Sequence, residues 1–216
     1  METNLHQVLG IEELTPETFL IHLDRQDFDF KPGQYVVLRN PETGEGREYS
    51  IFSSVHEHRL SFLVREIADG EFSRYLKHLK TGSSIAVEGP RGFFILDEQS
   101  TSGHPILFIA TGTGISPFHC FVKSYDNLNY RVLHGVHFDD EAYGREAFDE
   151  ERFCLCTSRE EKGDYFGRVT YYLKEHPVEN GTVCYLCGNS DMIEEVTDLL
   201  EGSGVKPENI RTEVFF

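Results

Sequence analysis

A chain of 216 residues can bury a core in one large or two small domains, and its 39% hydrophobic and 26% charged residues are ordinary for a globular protein. A formal net charge of −17, from 37 Asp and Glu against 20 Lys and Arg, argues against nucleic acid as a general partner, because phosphate repels an acidic surface. No apolar run reaches the length of a membrane span, residues 1–4 lack the regions of a signal peptide, and five cysteines without framework spacing fit a reducing compartment; the chain reads as cytoplasmic, with no membrane partner.

Residues 1–98 read as an antiparallel β-domain. Segment 18–23 (TFLIHL) alternates apolar and polar, as a strand with one buried face should. Lys31-Pro-Gly-Gln34 is a turn signal, and segments 35–38, 47–52, 59–64 and 84–87 are further strand candidates. One helix interrupts them at 71–79, with Phe72, Tyr75, Leu76 and Leu79 on a single face. Short strands with one helix predict a Greek-key barrel. The polar stretch 99–103 reads as a linker. In the second domain, 103–216, strands at 106–110, 130–136, 153–157 and 182–186 alternate with helices at 116–125, 168–174 and 192–201, and an extended run 210–216 ends the chain. Alternation of this kind predicts a parallel, Rossmann-like α/β sheet with ligands at the carboxyl ends of its strands. The acidic run 139–151 reads as a solvated face, while Arg65, Arg74, Lys77, Lys80 and Arg91 form a basic cluster in the first half.

The stretch 106–119 carries the strongest local signal. A buried strand runs straight into Thr111-Gly112-Thr113-Gly114, where two glycines let the backbone turn sharply and let an anion approach the amides. Ser116-Pro117 then reads as an N-cap with proline in the first helical turn, which places a positive helix end beside the glycines. In the first domain Arg47 and Tyr49 share one face of a strand and Ser50 takes the other. A guanidinium can neutralise a diphosphate, a tyrosine ring can stack on a flat heterocycle, and a hydroxyl can bond a ring nitrogen. Asp69-Gly70-Glu71-Phe72-Ser73 opens the helix and offers a second anion contact through Ser73. Cys184 and Cys187 form a lone CxxC inside an apolar run without a second pair, so no metal site is expected.

Eight motifs in order, FKPGQY (30–35), REYS (47–50), DGEFS (69–73), EGPRG (88–92), ATGTGISPF (110–118), TSRE (157–160), YLCGNSDMI (185–193) and EVFF (213–216), make nearly the whole chain similar to the ferredoxin/flavodoxin–NADP reductases, in their bacterial form. The resemblance implies FAD held on the barrel by Arg47, Glu48, Tyr49 and Ser50, with Val64, Arg65, Phe72 and Ser73 around its diphosphate, Thr113 approaching from the second domain, and Phe215 and Phe216 near the flavin. It implies NADP(H) on Thr111, Gly112, Thr113 and Gly114 and on Cys187, Gly188, Asp191 and Met192, with Ser158, Arg159 and Arg168 on the 2′-phosphate and His137 where some bacterial forms carry a further arginine. Ser50, Cys187 and Glu213 are the implied catalytic residues.

The implied activity is hydride transfer between NADPH and FAD, followed by single-electron exchange with ferredoxin or flavodoxin, a separate acidic carrier. The chain itself has no four-cysteine cluster motif, and a monomer or weak dimer is expected. Two readings keep the flavin but send the electrons elsewhere: a reductase component of an oxygenase system, or an NAD(P)H:flavin reductase. A redox-sensing module on the same fold is the non-enzymatic alternative.

Overall fold

The computed structural model describes residues 4–68 and 70–215. The first six strands are β1 (Asn4–Glu13), β2 (Thr18–Asp24), β3 (Tyr35–Arg39), β4 (Gly46–Ser50), β5 (Arg59–Arg65) and β6 (Ser84–Arg91), with α1 (Glu71–Lys77) between the last two. They hydrogen-bond in the order β4-β3-β6-β1-β2-β5, and every pairing is antiparallel. β1 serves two ladders: residues 4–7 pair with β6, and, after an irregularity between Val8 and Gly10, the strand pairs with β2. Beyond β4 the chain crosses to β5, where the Phe52 amide donates to the Ser61 carbonyl at 2.9 Å and the Ser61 amide donates to Ser53 Oγ at 3.0 Å. The six strands wrap one core that includes Phe19, Ile21, Leu38, Phe62 and Val64, closed by Phe72 and Leu76 of α1.

Two expectations change here. β1 is a strand that the sequence pattern did not signal, because its polarity runs backwards: His6 and Val8 face inward while Leu5 and Leu9 are 55% and 49% exposed. The inward His6 donates from Nδ1 to the Asp24 carbonyl at 2.7 Å, while its Nε2 is buried without a hydrogen-bond partner. β2 is buried on both faces rather than one, since it lies between β1 and β5 with Thr18, Leu20 and His22 also covered. His22 is accommodated by a 2.8 Å hydrogen bond between its Nδ1 and Ser61 Oγ on the neighbouring strand.

The chain divides into two compact units, the first reaching Ile95 and including His119–Ser124, the second formed by Leu96–Phe118 and Tyr125–Phe216. The second begins with α2 (Glu98–Thr101), so the stretch expected as linker is a helical turn. Asp97 caps it by accepting from the Ser100 amide and hydroxyl, both at 2.8 Å, and Ser100 is fully buried. There follow β7 (Ile106–Thr111), α3 (Ser116–Ser124), β8 (Tyr130–Val136), β9 (Phe153–Thr157), the two-residue β10 (Tyr165–Phe166), α4 (Val169–Glu175), β11 (Val183–Gly188), α5 (Ser190–Gly202) and β12 (Ile210–Val214). The sheet order is β10-β9-β8-β7-β11-β12 and all pairings are parallel. From β7 the chain steps outward to β10 and then returns to β11 on the other side of β7, which makes the carboxyl ends of β7 and β11 the topological switch point. One face packs Leu107, Ile109, Leu133 and Leu186 against Val169, Leu173, Val196 and Leu200 of α4 and α5. The acidic run 139–151 is ordered as three short 3-10 turns. No helix among the described residues is long and apolar enough to cross a membrane.

Candidate functional site

In the second unit the switch point is built by glycines that nothing larger could replace. A Cβ on Gly114 would lie 2.3 Å from the Cys187 carbonyl oxygen, and one on Gly188 would lie 2.2 Å from Thr111 Oγ1. The two strand ends are thereby locked together, with the Asn189 amide donating to Thr111 Oγ1 at 3.1 Å. Gly112 differs: its φ is +51° and nothing lies within 4 Å of where its Cβ would be, so it leaves an open concavity. Its carbonyl is tied back by His134 Nε2 at 2.8 Å, and that of Thr113 by the Ser116 hydroxyl at 2.7 Å, so neither oxygen is left to repel an incoming anion. This donation corrects the expected N-cap. Ser116 has φ −51° and ψ −54°, already helical, because the 3-10 turn Gly112–Ile115 begins directly after the extended Thr111 and runs into α3. The cap at this edge is Asn189, a residue the sequence reading passed over; its side chain accepts from the amides of Asp191 at 2.9 Å and Met192 at 3.3 Å.

Cys187 lies at the end of β11 beside Glu213 of β12, its register partner. It is fully buried, and burial, with the Glu213 charge adding to it, holds its thiol well above the ordinary range. Cys184, three residues away on the same strand, points to the opposite face. The Phe215 amide donates to the Gly188 carbonyl at 2.8 Å, which ties the chain end to the same strand end; Phe216 lies outside the described residues. Asp191 is exposed, whereas Met192 is buried against the sheet.

At the carboxyl ends of β8 and β9, His137 Nδ1 and Ser158 Oγ meet at 3.1 Å, and the Arg159 amide donates to the His137 carbonyl at 3.0 Å. Two carboxylates hold the backbone here: Glu141 accepts from the His137 and Phe138 amides at 2.7 and 3.1 Å, and Glu160 accepts from the Asp139 amide. The side chains of Arg159 and of Arg168, which directly precedes α4, are exposed and have no carboxylate partner among the described residues. Arg39 and Arg145, by contrast, stand beside Glu88 and Asp164 at 2.9 and 3.4 Å.

In the first unit, Arg47 and Tyr49 on β4 and Phe72 and Ser73 on α1 gather on one side. The Tyr49 and Phe72 rings lie 6.4 Å apart, and Phe72 continues to Tyr75 at 5.8 Å. Burial pushes the Tyr49 hydroxyl well above its ordinary pKa, with Arg47 acting the other way. Arg47 is 63% exposed, with Glu45 at 3.3 Å, and Glu48 is exposed beside it. Ser50 is buried at the end of β4. Ser73 Oγ accepts from the Ile67 amide at 3.1 Å and donates to the Gly70 carbonyl at 3.4 Å, fastening the loop before α1; Asp69 of that loop lies outside the described residues. Val64 is fully buried in the core, which leaves only its backbone for any ligand.

The basic cluster read from the sequence separates into three ion-paired groups, with Lys80 in none of them. Arg65 pairs with Glu17, while Arg74 and Lys77 share Glu66. Arg91 instead pairs with Glu88, which also holds Arg39 across β3 and β6.

Residues 12–95 match the family of oxidoreductase FAD-binding domains. The chain is similar to the 2-halobenzoate 1,2-dioxygenase electron transfer component of Burkholderia cepacia, with 33% identity over 87% of this chain and 59% of that protein. It is also similar to the ferredoxin–NAD(P)+ reductase component of the naphthalene 1,2-dioxygenase system of Pseudomonas putida, 27% identical over 88% of this chain and 61% of the other. The chain thus spans about three-fifths of the length of these relatives. A ferredoxin–NADP+ reductase from Neisseria gonorrhoeae, solved with bound FAD and NADP, superimposes with a TM-score of 0.87 at 23% identity, covering 100% of both chains. The barrel and parallel sheet expected from the motifs are therefore the fold of the ferredoxin–NADP+ reductases.

Proposed function

We propose that this chain, a member through residues 12–95 of the oxidoreductase FAD-binding domain family, is a flavin-dependent reductase that oxidises NADPH and passes the electrons singly to a separate iron–sulfur or flavin carrier protein. The observation that carries the coenzyme assignment is the pair of uncompensated guanidiniums, Arg159 and Arg168, beside the carboxyl end of a parallel strand, on the same sheet edge as the open Gly112 turn. A 2′-phosphate needs cationic donors at this edge, and of the arginines without a carboxylate partner these two follow the carboxyl ends of β9 and β10.

The donor set of the first unit suits FAD: an exposed guanidinium on Arg47, the ring of Tyr49 and the hydroxyl of Ser50, with the Gly70–Ser73 turn close by. When bound, FAD accepts an electron pair from a nicotinamide and releases it one electron at a time. Arg47 would neutralise the flavin diphosphate, and Ser50 would donate to a ring nitrogen. At the other sheet, the Gly112 turn would take the dinucleotide diphosphate, with Asn189 and His134 fixing the backbone around it. Cys187 stays a neutral thiol, suited to packing against an aromatic ring rather than to nucleophilic attack. Glu213, on the adjacent strand, supplies a carboxylate for proton movement.

The names of the relatives favour an oxygenase system as the setting in which the carrier works. The test is rapid-mixing reduction of the purified, flavin-loaded chain by NADPH and by NADH, followed by addition of a small iron–sulfur protein or a flavodoxin. Bleaching of the flavin by NADPH well ahead of NADH, with reoxidation by the carrier, is expected. A faster reaction with NADH would overturn the coenzyme assignment, and failure of every carrier to reoxidise the flavin would leave the oxygenase and carrier readings without support.

A further inference from the structure

Phe93 holds its ring almost wholly in water, 96% exposed, whereas no other large hydrophobic side chain among the described residues exceeds 56%. The backbone on either side of it is fixed. Gly92 precedes it with φ +93°, and a Cβ there would lie 2.8 Å from the Tyr35 ring. Phe94 follows it and is buried, and a Cβ on Gly33 would collide with the Phe94 carbonyl oxygen, so the turn Lys31-Pro-Gly-Gln34 packs flush on this segment. Phe93 is therefore presented outward from a rigid scaffold, at little entropic cost to a partner that covers it. The surroundings are basic. Arg39 forks onto Glu88 at 2.9 and 3.2 Å, and Arg91 reaches the same carboxylate at 3.4 Å, so two guanidiniums share one negative charge. Lys31 is exposed, and its ammonium has no carboxylate partner among the described residues; Asp29, two positions earlier, leans toward Arg25 at 3.9 Å. Tyr35 of β3 pairs with Ser50 of β4 on one side and with Arg91 of β6 on the other. Two strand spacings, about 10 Å, thus separate Arg91 from Ser50, the residue assigned above to the flavin ring.

We propose that Phe93, with Lys31, Arg39 and Arg91 about it, is the anchor on which the acidic one-electron carrier docks, an inference that rests on the reading of this chain as a carrier-dependent flavin reductase. A rigid aromatic side chain bordered by guanidiniums has the composition of an interface centre: the ring buries apolar area, and the cations at its rim meet carboxylates of the partner. Charge selects the occupant. The chain as a whole carries −17 and repels a second acidic protein, so an acidic carrier settles where cations outnumber carboxylates, as Lys31, Arg39 and Arg91 outnumber Glu88. A second copy of the chain would bring its own net negative charge without a comparable excess of carboxylates placed for this patch. A carrier seated on Phe93 lies within two strands of Ser50, which keeps the path of the electron short. Phe93 itself takes no part in the chemistry; it supplies contact, and the cations supply steering.

The full chain, flavin-loaded and reduced with NADPH, is mixed rapidly with an acidic iron–sulfur ferredoxin or a flavodoxin over a range of carrier and salt concentrations. Phe93→Ala should raise the carrier concentration for half-maximal transfer by about tenfold, at low and high salt alike, because what it removes is apolar contact. Phe93→Tyr keeps the ring and should recover most of that loss. Lys31→Glu should raise the same concentration at low salt and lose most of its effect at high salt, as steering does. Flavin content, Tm and NADPH oxidation with ferricyanide should be unchanged in every variant, since both side chains are exposed. Carrier kinetics in Phe93→Ala that match an unsubstituted protein transferring normally would overturn the docking site and leave the reductase reading standing. Transfer to no carrier by any form, with the flavin still bleached by NADPH, would overturn both. A colourless Phe93→Ala protein would assign the ring to the flavin. Self-association that light scattering shows to vanish in Phe93→Ala, with carrier kinetics unaltered, would give the patch to a second copy; either result overturns the proposal.

Discussion

His134 Nε2 donates to the Gly112 carbonyl at 2.8 Å, and the other ring nitrogen, Nδ1, is buried without a hydrogen-bond partner. A carbonyl only accepts, so the hydrogen sits on Nε2 and the ring is neutral. Burial lowers its pKa to about 4, despite opposition from the Gly112 carbonyl and from Glu141. In the unfolded chain an imidazole titrates near 6.5, so the unfolded state takes up this proton first. The resulting stability is therefore complete above about pH 6.5 and is lost as the pH falls through about 4, with on the order of 3 kcal/mol at stake. Urea midpoints measured from pH 7 to pH 4.5 should fall less steeply in His134→Gln, whose amide can reach Gly112 but binds no proton. Equal slopes would remove His134 as a cause.

The motif order made the two sheets and the glycine turn legible, because each signal is local: a strand, two glycines, a helix. The role of His134 was not, since it depends on a carbonyl 22 residues away presented by a turn whose geometry only packing decides. Ser116 shows the same limit from the other side. Its sequence context satisfies the rule for an N-cap, yet Gly114 sits so close to Cys187 that the turn tightens one step earlier and Ser116 is already helical. β1 was missed because its leucines face outward and its histidine inward, a pattern that becomes sensible only once Asp24 is known to receive His6. The basic residues near one another in sequence were separated by partners, Glu17, Glu66 and Glu88, that proximity along the chain does not reveal.

The two turn glycines should behave differently when given a methyl group. Gly114→Ala places a Cβ against the Cys187 carbonyl, a backbone atom that cannot swing aside, and should cost about 1–3 kcal/mol or prevent folding. Gly112→Ala meets open space and suffers only its left-handed backbone, about 1 kcal/mol. If the Gly112 concavity receives a diphosphate, that variant should lose dinucleotide affinity beyond its small loss of Tm. Unchanged KM for NADPH and NADH in a folded Gly112→Ala protein would place the diphosphate elsewhere.

Arg159→Ala and Arg168→Ala remove charges without ion-pair partners, so neither should lower stability measurably. Each should raise KM for NADPH by roughly ten- to a hundredfold, the equivalent of about 1.5–3 kcal/mol for a charge-assisted hydrogen bond, with little effect on NADH. Steady-state kinetics with both coenzymes decides the point. Equal losses would assign the arginines to a group that NADH and NADPH share.

Arg47 pairs with Glu45 at an exposed site, and such a pair contributes little to folding. Arg47→Ala should therefore keep the Tm of the flavin-free chain and yet purify largely colourless, because the diphosphate loses its guanidinium. Flavin absorbance per protein is the measurement; full occupancy would make Arg47 a surface residue and nothing more.

Lys77 and Lys80, adjacent on the sequence's basic face, should now part company. Lys77 Nζ is held by Glu66 Oε2 and by the Pro16 carbonyl, each at 2.6 Å, and it holds the Glu66 carboxyl below its ordinary pKa. The contribution of that pair is present above the ordinary carboxylate range and is lost as acid protonates Glu66. Lys77→Glu sets two carboxylates against each other and unfastens the segment between β5 and α1, so its urea midpoint should fall. Any slowing of electron transfer in that variant then reports a damaged barrel. Lys80 is exposed and its ammonium has no partner among the described residues, so Lys80→Glu should leave the midpoint unchanged. If an acidic carrier is steered toward this face, Lys80→Glu should slow its association, most at low salt, since surface charges are screened beyond about 8 Å at physiological ionic strength. NADPH oxidation with ferricyanide should stay normal in the same variant. Carrier kinetics that match the unsubstituted protein across a salt series would exclude Lys80 from docking and, with Lys77 committed to Glu66, would move the search to the Arg39–Glu88–Arg91 group.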